Sequence, residues 1–181
     1  ANGIDILRIF DALNDSRNLK TAINATKKEG GHVQAAISYT TSPVHTNESF
    51  AKFAKELEEM GADSICIKDM AGLLKPYDAY DLVKTIKEAV KVPVQLHTHY
   101  TAGLASMTLL KAIEAGVDII TVTDSPLARA RADSIMVAAK LKREVGVEVL
   151  PHISCRDKNQ ISLKAGLIGA SFENIYFCAT R

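Results

Sequence analysis

Seven short runs rich in β-branched and other apolar residues recur about every 28 residues, at 6–11, 32–39, 64–69, 93–99, 118–124, 147–154 and 174–180. An amphipathic helical pattern fills each gap. Between the second and third runs, Phe50, Phe53, Ala54, Leu57 and Met60 fall at helical spacing, and Gly61 follows as the residue that ends the helix. Pro76 suits a first helical turn, with Leu82, Val83, Ile86 and Val90 as the stripe behind it. Leu104, Met107, Leu110 and Ile113 predict a further stripe, stopped by Gly116. Strands alternating with helices are successive βα units on a parallel sheet. The predicted fold class is α/β: a TIM-type (βα) barrel, or an incomplete, open barrel, with about seven parallel strands. A doubly wound sheet is the competing arrangement.

The ends of the runs separate the two. Asp11, Thr40, Lys68 with Asp69, His97 with His99, Thr123 with Asp124, His152 through Asp157, and Thr180 with Arg181 lie at or just past carboxyl ends. In a barrel these ends converge on one mouth, where such enzymes keep their chemistry. A doubly wound sheet concentrates chemistry at a switch point with a Gly-rich first turn, and this sequence has no such turn. Seven runs are one fewer than a closed barrel uses.

Composition removes several function classes. With 181 residues, 47% hydrophobic and 24% charged, the chain reads as one domain over 1–181 with a substantial core. A net charge of +1, with acids and bases interspersed, leaves no electrostatic footprint for nucleic acid or an anionic membrane. No apolar run approaches the ~18 residues of a membrane span, and no signal-peptide pattern is read at the amino end. Cys66, Cys155 and Cys178 are odd in number and far apart, which argues against a disulfide framework and for a reducing, cytoplasmic setting. Open strand edges predict self-association into a homo-oligomer.

The run Pro93–His99 ends in histidines spaced i, i+2, so His97 and His99 point the same way from the strand tip. Two same-facing imidazoles make half of a divalent-metal site, for Zn²⁺ or Mn²⁺; a pair of solvated strand-end histidines is the alternative. Asp69 points to the opposite face and reads as a loop or cap acceptor. Arg8, inside a strand, predicts an inward acid as its partner. Asp11 suits either the polar mouth or a turn, and Arg156 with Asp157 a local ion pair.

Longer stretches carry a resemblance. LRIFDALND (7–15), AAISYT (35–40), CIKDMAGLLKP (66–76), HTHYTAGLASM (97–107) and KAIEAGVDII (111–120) resemble the carboxyltransferase domain of the biotin-dependent pyruvate carboxylase, oxaloacetate decarboxylase and transcarboxylase group. That resemblance implies a metal ligated by His97, His99 and Lys68, the lysine as a carbamate. It also implies an aspartate ligand from a first strand not present in these residues. Tyr100 replaces the acidic residue of the family's HTHDT. TVTDSPLARAR (121–131), PHISCRDKN (151–159) and NIYFCATR (174–181) resemble methylenetetrahydrofolate reductase, which implies flavin contacts at Thr123, His152 and Arg181. The two together imply a recombined or engineered chimera, fused near 117–121, that acts as a scaffold without efficient catalysis. The other readings they leave open are a metal-dependent carboxyltransferase or decarboxylase of a 2-oxo acid, and a flavin-binding module.

Overall fold

The computed structural model of the chain describes residues 3–180. It divides into two compact units, 1–118 and 119–181. In the first, β1 (Ile6–Phe10), α1 (Ser16–Lys28), β2 (His32–Ser38), α2 (Asn47–Glu59), β3 (Ser64–Asp69), α3 (Pro76–Ala89), β4 (Val94–Thr98) and α4 (Ala105–Glu114) alternate without exception. β1 pairs with β2, β2 with β3 and β3 with β4, all parallel. In the second unit β5 (Ile119–Val122), α5 (Ser134–Val145), β6 (Glu148–Ser154), α6 (Gln160–Phe172) and β7 (Cys178–Thr180) continue the rhythm, with β5–β6 and β6–β7 parallel. The fold class is α/β, the βα repeat of an incomplete TIM-type barrel, with seven strands among the described residues.

Local chemistry explains the boundaries. Thr46 and Ser49 form a reciprocal capping box at the start of α2, Pro76 opens α3 at its first position, and the Asp133 carboxylate caps α5. Gly61, with φ +102°, follows the Met60 cap and lets the chain leave α2. The seventh run is shorter as a strand than its sequence suggests. Asn174 adopts a left-handed φ of +50°, and the Ile175 N–H donates to the Ala170 carbonyl at 3.0 Å. Residues 174–175 therefore terminate α6, with Ile175 buried, and only 178–180 pair with β6.

Register sorts the first unit's sheet into two unlike faces. Val33, Ala35, Ile37, Ile65, Ile67, Val94 and Leu96 share one, all essentially inaccessible, and α1 to α3 supply Leu19, Ile23, Leu57, Leu82, Val83 and Ile86 to the same core. Fully burying each such side chain stabilises by roughly 1.5–3 kcal/mol. The opposite face carries Arg8, Gln34, Ser64, Cys66, Gln95, Lys68 and His97. It is polar although most of it is buried, which requires internal hydrogen bonds.

The α4 stripe is a correction. Ala105, Thr108, Leu109 and Ala112 are the buried positions, whereas Met107 and Leu110 are more than half exposed.

Candidate metal centre

Beneath the strand tips lies a continuous polar ladder. The Arg8 Nε donates to Gln34 Oε1 at 2.6 Å, and Gln34 Nε2 donates to Gln95 Oε1 at 2.7 Å and to Ser64 Oγ at 3.3 Å. His32 Nε2 shares a 2.8 Å hydrogen bond with the same Ser64 hydroxyl. The expectation of an acid beside Arg8 is thus corrected: a carboxamide oxygen takes its Nε–H, and the ladder spreads the polarity over neutral groups. Sequence reasoning passed over Gln34 and Gln95. The available signal was a glutamine directly after the valine that opens each of two strand segments, VQAAIS and VQLHT.

Above the ladder, Lys68 on β3 is the register partner of His97 on β4, so the two side chains leave the same face side by side. His97 is buried and His99 half-buried. Their Nε2 atoms lie 2.9 Å apart, with rings 4.8 Å between centroids and inclined at 72°. A contact of that length needs one nitrogen to donate and the other to accept, so at least one imidazole is neutral. Burial and the nearby Lys68 charge hold His99 below the ordinary histidine range, against a smaller opposing pull from Asp69. The Lys68 amine rests 3.6 Å from the centroid of the Phe10 ring and 2.8 Å from Met70 Sδ. Burial, then the Arg8 charge, lower its pKa.

The donor set fits a divalent ion. Two nitrogens each ~2.1 Å from one ion, in cis positions, stand about 3 Å apart, which is the separation His97 and His99 have. Among the described residues no group of three or more His, Cys, Asp or Glu forms a metal site. Lys68, the register partner of His97, leaves the same face beside the pair.

The remaining residues divide cleanly. Asp69 is fully buried and accepts from the Leu73 and Leu74 amides and the Thr98 hydroxyl. Asp11 serves a turn, accepting from the Leu13 and Asp15 amides and from Asn18. Arg156 pairs with its neighbour Asp157. In the second unit Thr123 is buried one residue past β5. His152 lies within β6, where its carbonyl accepts from Ser134 Oγ at 2.7 Å. Asp124 takes the Ser154 N–H at 2.9 Å and pairs with Lys158. Arg181 lies outside the described residues.

A parallel βα repeat with two imidazoles and a lysine gathered at strand tips defines a barrel-type α/β protein with its chemistry at the carboxyl ends. Residues 11–124 match the HMGL-like family model, and the chain belongs to that family. A pyruvate carboxylase subunit from Methanocaldococcus jannaschii is 56% identical over 153 residues, 82% of this chain and 27% of that protein. A pyruvate carboxylase of Komagataella pastoris is 31% identical over 179 residues, 94% of this chain and 15% of that one. The carboxyl transferase domain of Rhizobium etli pyruvate carboxylase, also solved with pyruvate and biocytin, superposes with a TM-score of 0.64 at 43% identity, covering 65% of this chain and 21% of that one. The chain spans about a quarter of the length of the first curated relatives it matches. A match reaching 94% of the chain takes in most of residues 119–181. The reductase resemblance, its flavin contacts and a fusion near 117–121 gain no support from these matches. No helix among the described residues is long and apolar enough to cross a membrane.

Proposed function

We propose that this chain carries the metal-binding strands of a carboxyltransferase or decarboxylase that acts on a 2-oxo acid, with His97, His99 and Lys68 holding one divalent ion, Zn²⁺ or Mn²⁺. The observation that carries this reading is the convergence of the two Nε2 atoms beside Lys68 on a face whose other polar groups are the Arg8 guanidinium and neutral hydrogen-bonded side chains. The relatives' names and the pyruvate bound in the Rhizobium etli domain support the substrate class.

When bound, a divalent ion supplies Lewis-acid polarisation of the 2-oxo carbonyl and stabilises the enolate formed as carboxylate is lost or gained. The chain's residues prepare for it. A metal requires neutral imidazole nitrogens, and burial with the Lys68 charge favours that form at His99. Lys68, its ammonium disfavoured by burial, offers its amine to carbon dioxide. The Nζ–C bond forms as one C=O π pair moves to oxygen, one proton passes to solvent, and an anionic carbamate remains as an oxygen donor. The polar ladder from Arg8 to Gln95 supports this end of the face without placing a competing carboxylate beside it.

Calorimetric titration of Mn²⁺ into the metal-stripped chain, buffered with bicarbonate, tests the reading. One ion per chain is expected, with His97→Ala and His99→Ala each weakening binding at least tenfold and Lys68→Ala weakening it and abolishing any bicarbonate dependence. Equal affinity in all four proteins overturns it.

A further inference from the structure

The loop after β3 reaches across to the tip of β4. Asp69 ends β3 with its side chain on the face opposite Lys68, fully buried. Its Oδ1 accepts from the Leu73 N–H at 2.9 Å, and its Oδ2 accepts from the Leu74 N–H and from Thr98 Oγ1, each at 3.0 Å. Its main-chain carbonyl accepts from the His99 N–H at 3.2 Å. One residue therefore folds its own loop back and grips β4 through both the Thr98 side chain and the His99 backbone.

Gly72 completes the contact. It has a φ of +69°, and a Cβ there would stand 3.1 Å from the His99 carbonyl oxygen and 3.3 Å from the Ala102 nitrogen. The loop thus lies against the segment that leaves β4, on the His99 side of it. Only a glycine lets it come that close without strain.

Thr98 stands between the two histidines. With its hydroxyl fixed on the helix-facing side, its neighbours 97 and 99 are turned to the other side together. β4 ends at Thr98, so His99 stands one residue past the strand, where its backbone is held by the Asp69 carbonyl. A metal constellation tolerates errors of only about 0.5 Å and 10–20°.

We propose that Asp69 and Gly72 are positioning residues for the histidine pair: the loop 69–74 clamps Thr98 and the His99 backbone, and so aims both Nε2 atoms at one point. The clamp is a property of the metal-free chain, and only the second measurement below rests on the proposed metal-binding function.

Three variants test it. Thr98→Val removes the hydroxyl at constant shape, Thr98→Ser keeps it, and Gly72→Ala inserts the Cβ. The first measurement is long-range ¹H–¹⁵N spectroscopy of the imidazoles without metal, at one fixed pH. The wild type and Thr98→Ser are expected to show one protonated and one accepting Nε2, and Thr98→Val and Gly72→Ala two independent rings. The second is Mn²⁺ affinity, expected within threefold of wild type for Thr98→Ser and ten- to a hundredfold weaker for the other two, as for other residues that orient ligands. Thr98→Ser and Thr98→Val bracket the same site, so a Gly72→Ala chain that fails to fold leaves the comparison intact. Retained pairing and retained affinity in Thr98→Val overturn the clamp. A wild type that takes up no Mn²⁺, with pairing still lost in Thr98→Val, overturns the metal-binding function and leaves the clamp standing.

Discussion

Glu58 shows how a single side chain can tie distant pieces of a βα repeat. Its Oε2 meets Lys55 one helical turn earlier, and its Oε1 accepts from the Lys91 and Val92 amides at 2.7 and 3.2 Å, fixing the turn before β4 to the end of α2. The Lys55 hydrogen bond, then the Lys91 amide, hold its carboxyl below the usual glutamate value of 4.5. The sign of the linkage follows. The folded chain binds this proton less readily than the unfolded chain, so the stabilisation is present above about pH 4.5 and is lost as pH falls through the lower, folded value. Glu58→Gln is expected to melt below wild type at neutral pH and to converge with it in acid. Melting curves that stay parallel down to pH 3 refute this account. Residues of this kind divide by how local their partner is. Asp69 was legible as an acceptor because strand parity alone turns it from the tip. The partner of Arg8 was not, because period-2 reasoning says which face a residue takes and not which strand lies beside it. Lys68 joined the histidines through register across β3 and β4, which no spacing within one run encodes.

At the scale of elements, strand runs and helix caps were readable because they depend on nearby residues, while helix phase in α4 was not. Leu104, Met107, Leu110 and Ile113 are spaced 3, 3, 3, and each step of three falls about 60° short of a full turn, so the series winds round the helix. The buried set Ala105, Thr108, Leu109 and Ala112 is spaced 3, 1, 3 and stays within about 100°. Small side chains at three of those positions let α4 approach β4 and α3, where Thr108 Oγ1 donates to the Leu74 carbonyl at 2.9 Å. Hydrophobicity alone ranks Met107 and Leu110 above Ala105 and Ala112; close approach reverses the order. Leu109→Ala is accordingly expected to cost about 2–4 kcal/mol in chemical denaturation, and Met107→Gln no more than about 0.5 kcal/mol. Comparable losses in both would restore the 3, 3, 3 stripe. A second regularity links alternate units. Asp63 accepts from the Val33 N–H at 2.8 Å and pairs with Lys27; Asp118 accepts from the Val94 N–H at 2.7 Å and pairs with Lys87. In both, the aspartate of a GAD or GVD segment holds the backbone N–H at the amino end of an earlier strand, β2 or β4.

For the whole molecule, the boundary between the two compact units falls at 118/119, and the curated carboxylase matches run through it. In each unit an aspartate at or just past the end of an odd-numbered strand reaches the tip of the next strand: Asp69, the last residue of β3, accepts from Thr98 Oγ1, and Asp124, two residues past β5, accepts from the Ser154 N–H. The sequence's expectation of open strand edges bears on β1. Among the described residues β1 pairs with β2 alone, and Ile6, Leu7 and Phe10 along it, with Ile4 just before it, are each more than two-fifths exposed. A strand edge flanked by large apolar side chains is a template for another strand. For these 181 residues taken alone, a net charge of +1 opposes the approach of a second copy only weakly, and a second copy is the occupant to test. Light scattering at high micromolar concentration should give a molar mass above the 19.6 kDa of one chain. Ile6→Lys, which places a charge on that margin, should return the mass to one chain without loss of cooperative unfolding. A wild type that scatters as a single chain across the concentration range removes β1 as an association surface.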